Sequence, residues 1–79
     1  MENDEIISLI QEICTELLIY NVQGRFYDER TKIDVIGTIY KNSEPKNISF
    51  FINKDDIIDK SYLDIMMKIK GNVNENQLS

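Results

Sequence analysis

Apolar residues fall at helical spacing over the first twenty positions. At 100° per residue, Leu9, Tyr20, Ile13, Ile6, Leu17, Ile10, Cys14, Ile7 and Leu18 fill one continuous half of a wheel. Gln11, Thr15, Ser8, Glu12 and Glu16 fill the other half, joined only by Ile19 near the end. That pattern predicts an amphipathic helix over residues 4–20. Asn3 or Asp4 serves as its cap, Asp4 and Glu5 favour the positive end of the dipole, and Asn21 closes it in a left-handed conformation.

The period then changes to two. Residues 22–28 form a short aromatic strand, which links through 29–31 to the next run. Residues 32–40 alternate, with Ile33, Val35, Gly37 and Ile39 on one side and Lys32, Asp34, Ile36, Thr38 and Tyr40 on the other. Residues 47–53 place Ile48, Phe50 and Ile52 on one side, Ser49 and Phe51 on the other. The link 41–46 contains Asn42, Ser43 and Pro45, all turn residues. Short links between consecutive strands predict an antiparallel meander.

A second helix closes the pattern, and two starts compete for it. Asn53 caps one that takes Asp55 and Asp56 into its first turn. Ser61, followed by Asp64, caps a shorter one over 62–70. Ile58, Tyr62, Ile65, Met66 and Ile69 make one stripe in either case, Lys68 and Lys70 suit its C-terminal end, and Gly71 is a natural stop. From Gly71 to Ser79 the chain reads GNVNENQLS, without a period, and is expected to be a flexible tail. The expected fold is α+β: one two-layer α-β-β-β-α domain over residues 1–70, a three-stranded antiparallel meander packed against two amphipathic helices. The alternative is a small barrel in which the third strand continues through Ile57 and Ile58.

Composition narrows the function classes. A 79-residue, 9.3 kDa chain exposes about 13,500 Å² unfolded and about 5,000 Å² folded, enough for one core and too little for a large active-site cavity. A single Cys excludes a disulfide framework, and without His there is no zinc ligand set. Cys14, mid-helix beside Glu12 and Glu16, reads as buried and inert. No apolar run spans a bilayer and the first residues are acidic, so a cytoplasmic protein from a reducing compartment is expected. The fourteen Ile and eight Asn, with no Ala, suit an AT-rich coding sequence and carry no functional weight.

Candidate chemistry is sparse. Asp55, Asp56 and Asp59 spell DDIID, the spacing of the magnesium–diphosphate motif of prenyl-transferring enzymes. Those enzymes need facing acids on a second helix of a large bundle, so these acids read as a favourable helix start. No acid–base pair, phosphate loop or nucleophile stands out; no enzyme activity and no cofactor or metal is expected. The order α-β-β-β-α is also that of the double-stranded-RNA-binding domain, a likeness of topology only. Where such domains carry a basic cluster, this chain has Lys54, Asp55, Asp56 and Asp59, so nucleic acid is not the expected partner.

What remains is surface. With both helices on the Ile33–Phe50 side, the far sheet face carries Ile36, Tyr40 and Phe51, with Tyr27 at the edge, where a solvated face is normally polar. Leu63 and Met67 lie one turn apart, off the main stripe of the second helix. Residues 1–20 hold five acids and no base, and Glu12 and Glu16 stack on one turn, a field that attracts a basic protein surface. In size, acidity and lack of catalytic groups the chain is similar to the small anti-defence inhibitors of phages and mobile elements, anti-CRISPR proteins among them. That likeness is one of type and rests on no motif. The expected function is a non-enzymatic protein-binding module that inhibits or regulates a larger partner with a basic surface. Its expected contact residues are Glu12, Glu16, Ile36, Tyr40, Phe51, Asp55, Asp56, Asp59, Leu63 and Met67. A homodimer is expected, and no membrane partner. The alternatives are an assembly protein forming a homo-oligomer and a divergent nucleic-acid-binding domain.

Overall fold

The apolar arc of the N-terminal segment winds into α1 (Asn3–Glu16), burying Ile6, Ile10, Ile13 and Cys14. Its N-cap is Glu2, one residue earlier than Asn3, and no side chain caps it. Asp4 and Glu5 occupy the first turn, where the dipole favours them. The helix ends four residues before the wheel pattern does. Leu18 adopts a left-handed conformation (φ 61°), its N–H donating to the Thr15 carbonyl, while the Ile19 N–H donates to Cys14 over 2.9 Å. This pair of bonds is a Schellman closure, with Ile19 and Cys14 as its buried apolar contact. Leu17, Leu18, Ile19 and Tyr20 are all apolar, and the one break in phase that marks the stop is Ile19, which falls on the polar half of the wheel.

The computed structural model describes residues 1–27 and 31–78. After α1 come β1 (Tyr20–Phe26), β2 (Lys32–Lys41), β3 (Glu44–Asn53), one 3₁₀ turn (Lys54–Asp56) and α2 (Tyr62–Leu78). The strands form an antiparallel meander in the order β1-β2-β3. β1 starts at Tyr20 rather than at 22. Asp28, read as the end of this strand, and the link residues Glu29 and Arg30 lie outside the described residues. Asn21 (φ 55°) sits in a bulge between Tyr20 and Gln23 instead of closing the helix.

β2 and β3 are longer than the alternation suggests, because the link between them shrinks to two residues. Asn42 and Ser43 both have positive φ (54° and 68°), the conformation whose twist matches that of a hairpin. Pro45 therefore lies inside β3, on its outer edge, where a missing N–H is tolerated. β3 ends at Asn53 and does not continue through Ile57 and Ile58 into a barrel. The two capping signals that compete in the sequence serve two elements. Asn53 and Asp56 form a reciprocal capping box on the 3₁₀ turn, and the Ser61 hydroxyl accepts from the Asp64 N–H (3.1 Å) at the start of α2.

α2 runs through Gly71 to Leu78, correcting the flexible-tail reading of residues 71–79; Ser79 lies outside the described residues. Val73, 8% exposed, extends the Ile65–Ile69 stripe by one more turn. Asn72 and Asn76 side-chain amides donate to the carbonyls of Lys68 and Asn72, and Lys46 Nζ reaches the Asn76 carbonyl (2.9 Å). Gly71 has nothing near its absent Cβ and no left-handed φ, so nothing there stops a helix whose next turn is buried.

Both helices pack on one sheet face. Ile33, Val35, Ile39, Ile48, Phe50 and Ile52 join Ile6, Ile10, Ile13, Ile65 and Ile69 in a single core. No polar or charged side chain is buried among the described residues. Gly37 belongs to this face because a Cβ would come within 2.8 Å of Ile19, where the chain crosses from α1 into β1.

Candidate functional site

The opposite sheet face is built by strand parity. Register pairs Gln23 with Ile36 and Ile36 with Ser49 across the middle, and Arg25 with Asp34 and Asp34 with Phe51 on one side. Ile36, Tyr40 and Phe51 are 44%, 60% and 50% exposed, as the alternation of β2 and β3 requires. The aromatic residues stand in ordered pairs at the two ends of the face. Tyr27 meets Phe51 edge to face at 5.6 Å, and Tyr20 meets Tyr40 likewise at 5.7 Å. Lys32 Nζ lies 5.0 Å from the Phe51 ring centre, a cation–π contact. Between the pairs, Thr38 donates to Asn47 (3.3 Å), and Arg25 approaches Asp34 at 3.9 Å. Ile36 borders two shallow depressions of about 400 and 440 Å³, one toward β1 and one toward β3. Such a face offers rigid aromatic edges and hydrogen-bonding side chains, with one carboxylate among two cations.

The other candidate residues are placed elsewhere. Glu12 and Glu16 are exposed on α1, and Leu63 and Met67 are 63% and 64% exposed on α2. The helical layer and the aromatic face are therefore on opposite sides of the sheet, and the ten candidates do not form one site. Where α1 meets the start of α2, Tyr62 lies in the field of Glu12 and Glu16. Its hydroxyl is held above its ordinary range, first by desolvation and then by these two carboxylates.

Asp55 and Asp56 share the short 3₁₀ turn and Asp59 lies beyond it, so the three are not on successive turns of one helix. Asp56 is engaged as the carboxylate of the capping box, accepting from the Asn53 N–H at 3.2 Å. Asp59 occupies a left-handed turn position (φ 61°), and Asp55 is exposed. Among the described residues no group of three or more acidic, His or Cys side chains is placed to hold a metal. Cys14 is fully buried, and burial pushes its thiol up to about 11. Among the described residues no helix is long and apolar enough to cross a membrane.

Two members of the aromatic face are hard to see in the sequence. Tyr20 falls on the apolar arc of the predicted helix and becomes visible as a sheet residue only once Leu18 turns the chain. Lys32 looks like one more charge in a mixed run; its pairing with Phe51 depends on the β2–β3 register. No family model matches this chain, and no curated protein or solved structure matches it.

Proposed function

We propose that this chain is a small non-enzymatic protein-binding module that inhibits or regulates a larger partner, and that the uncovered sheet face is its contact surface. The observation that carries the proposal is the pair of edge-to-face aromatic contacts, Tyr27–Phe51 and Tyr20–Tyr40, flanking exposed Ile36. Exposed aromatic side chains already held by a neighbour lose little freedom on binding, which is how a few residues come to dominate an interface. The acidic strip of α1 faces away and acts at longer range, drawing in a partner with a basic surface. An anti-defence inhibitor of the anti-CRISPR type is one protein of this class.

The test compares baits. The wild-type chain and the variants Phe51→Ser and Tyr40→Ser, each checked for native circular dichroism, are used for affinity capture from the native host, and the partner recovered is titrated in purified form. A protein bound by the wild type and at least ten-fold more weakly by both variants supports the reading. Equal binding by all three removes the sheet face from it. Binding to single-stranded RNA or DNA that tightens as salt falls and is lost in both variants moves the chain into the nucleic-acid class.

A further inference from the structure

We infer that β3 pairs edge to edge with β3 of a second copy of this chain, about a two-fold axis at Ser49, giving one continuous six-stranded sheet. This goes beyond the face-binding reading and does not depend on it.

The backbone decides which groups are available. The Lys54 N–H donates to the Thr31 carbonyl, so even-numbered residues of β3 turn their N–H and C=O toward β2. Odd-numbered residues turn theirs outward. Among the described residues no hydrogen bond engages the outward N–H of Asn47, Ser49 or Phe51. The other sheet edge is blunted. β1 carries the bulge between Tyr20 and Gln23, and its outward Val22 carbonyl already accepts from the Gln11 amide (3.2 Å).

From Asn47 to Asn53 β3 lacks the usual guards against pairing, Pro45 protecting only the N-terminal end of the edge. The strand is ten residues long, regular along its whole register, and carries no charged side chain from Asn47 to Asn53. The two cations that flank this segment are engaged elsewhere, Lys46 by the Asn76 carbonyl on α2 and Lys54 by the Asn3 side-chain oxygen on α1. Proteins normally protect such an edge with charge, and an edge left open and uncharged is a template for another strand.

The occupant follows from the ends of the ladder. An antiparallel pairing centred on Ser49 sets Ser49 against Ser49, Asn47 against Phe51, and Pro45 against Asn53. The three central residues of each copy exchange N–H···O=C bonds. The next pair is Pro45, which has no N–H, and Asn53, whose N–H is held by the Asp56 carboxylate. The ladder therefore ends by itself at both sides in this register. Charge selects the same surface: a chain of net charge −5 repels its own copy, most strongly along α1, and β3 carries only Glu44 and Lys46. The pairing uses up both open edges and closes as a dimer, not a filament.

Sedimentation equilibrium of the full chain at about 100 µM should give twice the 9.3 kDa chain mass. Ser49→Pro removes one outward N–H without touching the β2 ladder and should return the chain to monomer mass; Ser49→Lys, which brings like charges together at the axis, should do the same. In air-oxidised samples Ser49→Cys should cross-link to itself and Asn47→Cys should not, because Asn47 meets Phe51. The wild type running as a monomer, a dimer that persists in both folded Ser49 variants, or Asn47→Cys cross-linking as readily as Ser49→Cys would overturn the pairing.

Discussion

Leu18 is the residue most at odds with its backbone. A side chain at φ 61° costs roughly 1–2 kcal/mol relative to the right-handed region, and here it is 66% exposed, with little packing in return. Leu18→Gly is therefore expected to raise unfolding free energy, by about 0.5–1 kcal/mol once the greater freedom of unfolded glycine is subtracted. Urea unfolding of the two proteins measures this; a less stable variant would mean that the leucine makes contacts worth more than its strain. Cys14 raises a different single-residue effect. Its thiol goes from the ordinary 9.0 to about 11 on folding, so the folded state holds its proton more tightly. Folded pKa above unfolded pKa means a contribution fully present below about pH 9 and lost as pH climbs through 11, of the order of 2–3 kcal/mol. Stability measured between pH 8 and 11 should fall more steeply for the wild type than for Cys14→Val.

At the scale of elements, adjacent residues of β3 test the assignment of faces. Phe50 is 7% exposed beneath the helices and Phe51 is half-exposed on the other side. Phe50→Ala should cost about 3–5 kcal/mol, most of what a domain of this size possesses, and Phe51→Ala under about 1 kcal/mol. Equal losses in thermal or denaturant unfolding would place both rings in the core. This distinction was legible in the sequence because a period of two puts every second residue on the same face, whatever the strand ends turn out to be. The caps at Asn53 and Ser61 were legible too, each being a local side-chain-to-backbone bond. Element ends set by tertiary packing were not. α1 stops inside an unbroken apolar run, and α2 continues past a glycine because Val73 finds the core one turn further on. The aromatic face was legible in Ile36, Tyr40 and Phe51, and hidden in Tyr20 and Lys32, whose partners are fixed only by register.

The whole molecule is electrically lopsided. α1 and the residue before it carry Glu2, Asp4, Glu5, Glu12 and Glu16 without a base, while the far side of the sheet sets Arg25 and Lys32 against Asp34. On the proposed function, long-range field and short-range contact belong to opposite sides, and the two should separate kinetically. With a basic partner, the double variant Glu12→Lys, Glu16→Lys should slow association by roughly ten-fold at low ionic strength, the gap closing as salt shortens the Debye length. Phe51→Ser should instead speed dissociation at every salt concentration, as loss of a contact residue does. The charge variant has a readout that needs no partner. Two of the three causes that raise the Tyr62 pKa are the Glu12 and Glu16 carboxylates, so reversing them should bring its phenol titration, followed by ultraviolet absorbance, to lower pH. A shifted Tyr62 titration together with unchanged association at low salt would show that the strip exerts its field locally and steers nothing, leaving recognition to the sheet alone.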